Sequence, residues 1–152
     1  MVRDPRAVYV SELKRRRERP ESLPYRWLVR APILLRLFVL GEVVWAWSDA
    51  VGRHRELRGR FPDRYRVVRF EDLVSEPQAV TESLCAFLGV PFRAAMLRQK
   101  VVSRGEKLGE AGFDAGAAER WRERIGPWDA RAIDALLGPR LEQLGYRRGS
   151  PA

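Results

Sequence analysis

Met1-Val2-Arg3-Asp4-Pro5-Arg6-Ala7-Val8-Tyr9-Val10-Ser11 reads as the end of a strand running into a helix that presents an anion site. Asp4 suits the N-cap, where its carboxylate can accept from an early helical N–H, and Pro5 suits the first helical position, where no N–H is needed. Continuing that helix to about Arg17 puts Ser11 and Arg15 four residues apart on one face, a hydroxyl beside a forked guanidinium, with Arg3 just ahead of the helix. Those three side chains could hold one phosphate. An ordinary solvated, arginine-rich helix start has the same look, so both readings stand on these residues alone.

Outward from this helix, Pro20 to Pro24 marks a break, and a long helix is expected from Pro32 to Leu57, with Leu34, Phe38, Val44 and Trp45 among its apolar positions. It is so broadly hydrophobic that it should be well covered. Phe61-Pro62-Asp63 reads as a turn and Tyr65 to Phe70 as a strand. Ser75 and Gln78 form a capping-box pattern for a helix bearing Val80, Leu84, Phe87 and Leu88 and ending at Gly89 and Pro91. Val101 to Ala118, with mixed charge and several glycines, reads as a loop, and Trp128 to Leu144 as a last helix with Ile133, Leu136, Leu137, Leu141 and Leu144 on it and a kink at Pro139. No internal repeat is visible.

The chain has 152 residues, compatible with about one domain, ~100–150 residues being the common size, and its hydrophobic fraction of 45% is that of a globular protein. A net charge of +9 points to anionic ligands, a membrane surface or nucleic acid. The cations are nearly all arginine and are dispersed beyond the run Lys14-Arg15-Arg16-Arg17, so the charge discriminates little. One Cys, Cys85, and one His, His54, cannot build a disulfide framework or a zinc site. Cys85 reads as a small buried hydrophobe and His54 as a solvated surface residue. The apolar run Ile33 to Trp47 is interrupted by Arg36 and Glu42 and is shorter than the ~20 residues of a membrane span. The basic first twenty residues lack the apolar region of a secretory signal, so a cytoplasmic protein is expected.

Arg3-Asp4-Pro5-Arg6 with Ser11 resembles the 3′-phosphate-binding motif of sulfotransferases that use 3′-phosphoadenosine-5′-phosphosulfate, especially their bacterial, carbohydrate and protein-tyrosine branches. Arg66 to Pro77 resembles the family's strand followed by a "YEDL" segment, with Phe70 in the tyrosine's place. Leu84 to Phe92 resembles its "FLG-hydrophobic-P" helix end, Arg120-Trp121 its basic-Trp pair, and Leu144-Gly145-Tyr146 its "LGY" ending. Motifs in this order from residue 3 to residue 146 are specific together where each alone is weak.

The resemblance implies transfer of a sulfuryl group from that nucleotide donor to a hydroxyl or amine acceptor, with no metal. It implies that Arg3 and Ser11, with Arg15, bind the donor's 3′-phosphate, and that Ser103, Arg104 and Arg120 lie where the family closes over the nucleotide. The catalytic base is not identified. Glu71 and Asp72 are expected to be structural, since neighbouring residues beside a strand point different ways. The implied fold is α/β, a P-loop-NTPase-like three-layer sandwich of parallel strands. The family's 5′-phosphosulfate loop should precede Met1, and Arg104 to Gly109, the one Gly/Lys cluster, lacks Walker spacing and reads as a surface loop. The chain is therefore expected to be a single, incomplete domain over residues 1–152, helix-rich for want of the N-terminal strands. Exposed apolar surface should follow, with self-association or a complementing N-terminal polypeptide as partner. Two further readings remain. One is a catalytically incomplete nucleotide-binding fragment; the other, more distant, is a basic nucleic-acid-binding protein, whose affinity would fall steeply with salt and ignore Ser11. The acceptor is open.

Overall fold

A computed structural model of the chain describes residues 1–22, 26–98, 100–103, 106–147 and 149, with 22, 100–103 and 106–111 as backbone only. Its helices are α1 (Pro5–Glu18), α2 (Pro32–Arg60), α3 (Phe70–Ser75), α4 (Pro77–Leu88) and α5 (Pro127–Gln143). Two strands, β1 (Lys100–Ser103) and β2 (Glu106–Ala111), pair antiparallel with an irregular register between Lys100 and Val102. The chain forms two compact units, one of Met1–Val2 with Val68–Glu119 and one of Arg3–Val67 with Arg120–Ala152.

The larger unit is helical. Along α2, Leu35, Val39, Val43, Trp47 and Val51 are all buried, a ridge repeating every fourth residue as one face of a 3.6-residue helix requires. Ile133, Leu137 and Leu141 make the matching stripe on α5, and α1 adds Ala7 and Tyr9 to the same core. The opposite side of α2 is not covered as its hydrophobicity suggests. Ile33, Leu34 and Leu37 are exposed and Trp45 is 73% exposed, as is Leu136 on α5 at 56%. Hydrophobicity all round a helix marks what could be buried, whereas only the contacts decide which stripe is.

Asp4 and Pro5 start α1 as their chemistry dictates: the Asp4 carboxylate accepts from the Arg6 N–H at 2.8 Å and Pro5 takes the first helical position. Gly145, at φ 75°, lets the chain leave α5 in a left-handed conformation, so that Tyr146 turns inward and meets Trp47 edge to face at 6.5 Å.

In the smaller unit, Val2 makes a parallel bridge with Arg69, through Val2 N–H to Val68 O and Phe70 N–H to Val2 O, both 2.8 Å. This pairing is all that forms of the two expected strands: residues 65–68 have no regular structure, and helix begins already at Phe70. A β-rich run needs neighbours on its edges to become a strand, and among the described residues only Val2 pairs with it. The capping box also fails. Ser75 ends α3, Pro77 opens α4, and Gln78 donates instead to Glu82 at 2.8 Å. The other end of α4 is as expected, Gly89 closing it at φ 69°. Cys85 is buried, its Sγ 3.7 Å from Met96 Sδ. The stretch 101–118 is not a plain loop, since it holds β1, β2 and the helical turn Ala115–Ala118. The described residues thus form a helix-rich structure, with one parallel bridge and one antiparallel hairpin in place of a parallel sheet. Among them no helix is long and apolar enough to cross a membrane.

Candidate functional site

The start of α1 is held by charges taken almost wholly out of water. Arg6 is 2% exposed, and its guanidinium donates to both Asp4 oxygens, at 2.9 and 2.7 Å. The same group donates to Asp134 at 3.1 Å and to the carbonyls of Arg147 and Gly149 at 3.1 and 3.3 Å. Its flat face lies 4.6 Å from the Trp121 ring centroid. A forked, planar cation is what such a site needs, because one side chain must satisfy several acceptors and stack at once. One residue further out, the Arg3 carbonyl accepts from the Trp47 indole N–H at 3.0 Å, and Trp47 is backed by Tyr146. Residues 3–6, Trp121 and the Leu144-Gly145-Tyr146 ending, far apart in sequence, meet here around one helix start.

From that anchored start, α1 carries Ser11, exposed, one helical turn before Arg15. Arg15 pairs with Glu12, its Nε 3.0 Å from a Glu12 oxygen, and the pair pushes its pKa further up. Arg3 is half-buried immediately ahead of the Asp4 cap. These three belong to one unit. Arg120 is exposed in the turn beside Trp121. Ser103 is described by its backbone alone, in β1 of the other unit, and Arg104 lies outside the described residues. Residues 106–109 of the Gly/Lys cluster belong to β2, so strand follows where a phosphate-binding loop would need a helix N-terminus.

Three residues that matter to this geometry, Arg6, Trp47 and Trp121, are given no structural role by the sequence alone. Arg6 belongs to the quoted motif, yet its partners Asp134 and Trp121 lie more than a hundred positions away, and no local pattern signals them. Trp47 sits mid-helix among other aromatics. Trp121, of the basic-Trp pair, is 5% exposed and takes Arg6 on its ring. His54 is not a solvated surface residue either: it is half-buried against the Tyr65 hydroxyl, and that burial lowers its pKa. Glu71 and Asp72 lie in the first turn of α3, where Asp72 is 3.7 Å from Arg69. Among the described residues no group of His, Cys, Asp or Glu is arranged to hold a metal ion.

Comparison with known proteins decides the family. The model of a sulfotransferase family matches residues 1–94, more than half of the chain and the part that holds the whole of α1. The chain belongs to the sulfotransferase family. Carbohydrate sulfotransferase 1 of Homo sapiens is 29% identical over 160 aligned residues, covering 97% of this chain and 38% of the relative. Its Rattus norvegicus counterpart aligns to the same extent, and carbohydrate sulfotransferase 5 of Mus musculus is 32% identical over 94 residues, 56% of this chain and 24% of its own. This member thus spans less than two-fifths of the length of those curated relatives. These relatives give no support to a bacterial or cytoplasmic assignment. No solved structure matches.

Proposed function

We propose that the chain supplies the 3′-phosphate-binding half of a carbohydrate sulfotransferase, holding a 3′-phosphoadenosine-5′-phosphosulfate donor through Arg3, Ser11 and Arg15. The observation that carries this reading is the anchored start of α1. Arg6 spends its whole hydrogen-bonding capacity on protein, and beyond it Ser11 stands exposed, with Arg15 four residues on in the same helix. A phosphate monoester fits such a set, with a hydroxyl donor and charge-assisted guanidinium donors. The donor nucleotide would bring the transferable sulfuryl group. In the transfer, a new S–O bond forms to an acceptor hydroxyl as the S–O bond to the 5′-phosphate breaks, and the hydroxyl proton passes to a base. Ser11 and the two arginines do not touch the reacting atoms. They fix the nucleotide's far end, so that its sulfuryl end is positioned. Arg120, in the same unit, extends the proposal as a residue closing over the nucleotide. The parallel-stranded sandwich is the fold in which these residues would sit, with self-association or a complementing N-terminal polypeptide as the proposed partner.

A second reading has an observation of its own. The chain aligns with 38% of the human relative's length, and in this reading it binds nucleotide while the catalytic groups lie elsewhere. Calorimetric titration with adenosine 3′,5′-bisphosphate, for the chain and its Arg3→Ala and Ser11→Ala variants, tests the shared core of both readings. Saturable binding that both substitutions weaken supports it; a folded chain that does not bind, or binds regardless of Ser11, overturns it. Sulfuryl transfer to a saccharide by the chain alone then separates the two.

A further inference from the structure

A second side of α1 carries chemistry that 3′-phosphate binding leaves unused. At 3.6 residues per turn, Tyr9, Leu13 and Arg17 fall on one side of the helix, roughly opposite Ser11 and Arg15. That side walls a groove of about 310 Å³, completed by Arg124 and by Asp129 at the start of α5. The volume sits at the lower end of the ~300–1,000 Å³ of small-ligand sites.

The groove's charges do not cancel. Lys14 faces Glu18 at 3.5 Å, both well exposed. Asp129 is 3% exposed and already neutralised by Arg36 at 3.0 Å. Arg17 and Arg124 remain, from two separate elements, both exposed and with no carboxylate partner among the described residues. Val10 and Leu13 add an apolar strip to the wall. Tyr9 lines the same groove, and its hydroxyl is buried without a hydrogen bond of ordinary geometry, beside Asp129 and Arg36.

We propose that this groove binds an anionic sugar, with Arg17 and Arg124 taking its sulfate, phosphate or carboxylate group and Val10 and Leu13 taking the apolar face of its ring. Planar guanidinium forks suit such oxyanions, and the apolar strip makes the ring worth more than the bare ion. If the chain acts on carbohydrate as proposed above, the occupant is a charged residue of the acceptor, one helix away from the nucleotide phosphate.

The test is titration of the whole chain with glucose 6-sulfate, glucose 6-phosphate, glucuronate, glucose and inorganic sulfate at physiological ionic strength. One or more of the charged sugars should bind, and glucose should not. Arg17→Ala and Arg124→Ala should each weaken that binding about tenfold or more, with melting unchanged because both side chains are exposed. Absence of charged-sugar binding, equal binding by both variants, or inorganic sulfate binding as tightly as the sugar ester would each overturn the proposal. So would displacement of the sugar by adenosine 3′,5′-bisphosphate, which would make the groove part of the nucleotide site. Ser11→Ala separates the readings: with both right it weakens nucleotide binding and leaves sugar binding intact, whereas lost sugar binding sinks the groove and undiminished nucleotide binding sinks the nucleotide site.

Discussion

Arg6 and Arg17 stand eleven positions apart on one helix and are used in contrary ways. Arg6 is 2% exposed, and each of its hydrogen bonds goes to protein. Arg17 is exposed and has no carboxylate partner among the described residues. The first half of α1 invests its charges in shape, and the second half turns Ser11, Arg15 and Arg17 outward, where ligands can reach them. Arginine content alone therefore says little about binding; the number of acceptors each guanidinium already serves says more.

The hardest test of this contrast is Arg6→Ala. It strands the buried Asp4 carboxylate and leaves Arg122 as the guanidinium over Trp121, and removal of one partner from such a buried pair costs about 3–5 kcal/mol. Urea denaturation should show that loss, together with the loss of nucleotide binding. Arg6→Lys should recover only part of it, since an ammonium restores the charge and not the fork. A cost below about 1 kcal/mol would mean that the helix start holds without its clamp.

Tyr9 sharpens the buried side of the comparison. Burial, with the Asp129 carboxylate adding to it, pushes its phenol up to about 12. A pKa raised on folding stabilises the fold below the unfolded value near ~10, and that stabilisation is lost as pH rises through the folded one. Stability should therefore fall between roughly pH 10 and 12, by on the order of 2 kcal/mol, and Tyr9→Phe should flatten that stretch of the profile. Near neutral pH the same substitution should cost little, because the hydroxyl has no well-formed bond to lose. Parallel pH profiles of both proteins would contradict the assignment.

Ser11→Ala probes the outward side. Adenosine 3′,5′-bisphosphate affinity should drop about tenfold, while stability holds or rises by roughly 0.5 kcal/mol, alanine being the better helix former. Trp47→Phe lies between the two classes. It removes the indole N–H that holds the Arg3 carbonyl at 3.0 Å, and should lower both stability, by about 1 kcal/mol, and nucleotide affinity. If stability fell with affinity untouched, Arg3 would not owe its position to Trp47.

How far the sequence foretells this arrangement depends on how local each signal is. The cap at Asp4-Pro5 and the glycine stop at Gly89 act over one turn of helix, and both are legible. Helix α2 begins at Pro32 as read and runs three residues past Leu57, a difference of the size that fraying ends produce. The strand at 65–70 is not legible, because a parallel strand is made by its neighbours. The capping box at Ser75 fails for a nearer reason, since Pro77 takes the first helical position and starts the helix two residues later. At the candidate site, the placement of Ser11 and Arg15 one turn apart on α1, with Arg3 just ahead of it, is legible from spacing. The clamp around Arg6 is not, its partners being Asp134, Trp121 and the carbonyls of Arg147 and Gly149. The exposed stripe of Ile33, Leu37 and Trp45 has the same cause, for composition cannot say which side of an apolar helix its neighbours will cover.

Arg15 is the ambiguous member of the outward set, and Glu12→Gln resolves it. The Arg15 guanidinium is shared with Glu12 at partial exposure, a pairing typically worth ~0.2–1 kcal/mol. A phosphate on Ser11 would have to draw the guanidinium from that carboxylate or share it. If Arg15 is a phosphate ligand, neutralising Glu12 should release it and raise adenosine 3′,5′-bisphosphate affinity by about two- to threefold, with Arg16 still tied to Glu42 at 3.0 Å. A fall in affinity would show instead that Glu12 holds Arg15 in the binding orientation, as a second, weaker clamp of the kind Arg6 forms with Asp4. Unchanged affinity would return Arg15 to the shape-holding arginines and leave Arg3 and Ser11 to bind the phosphate.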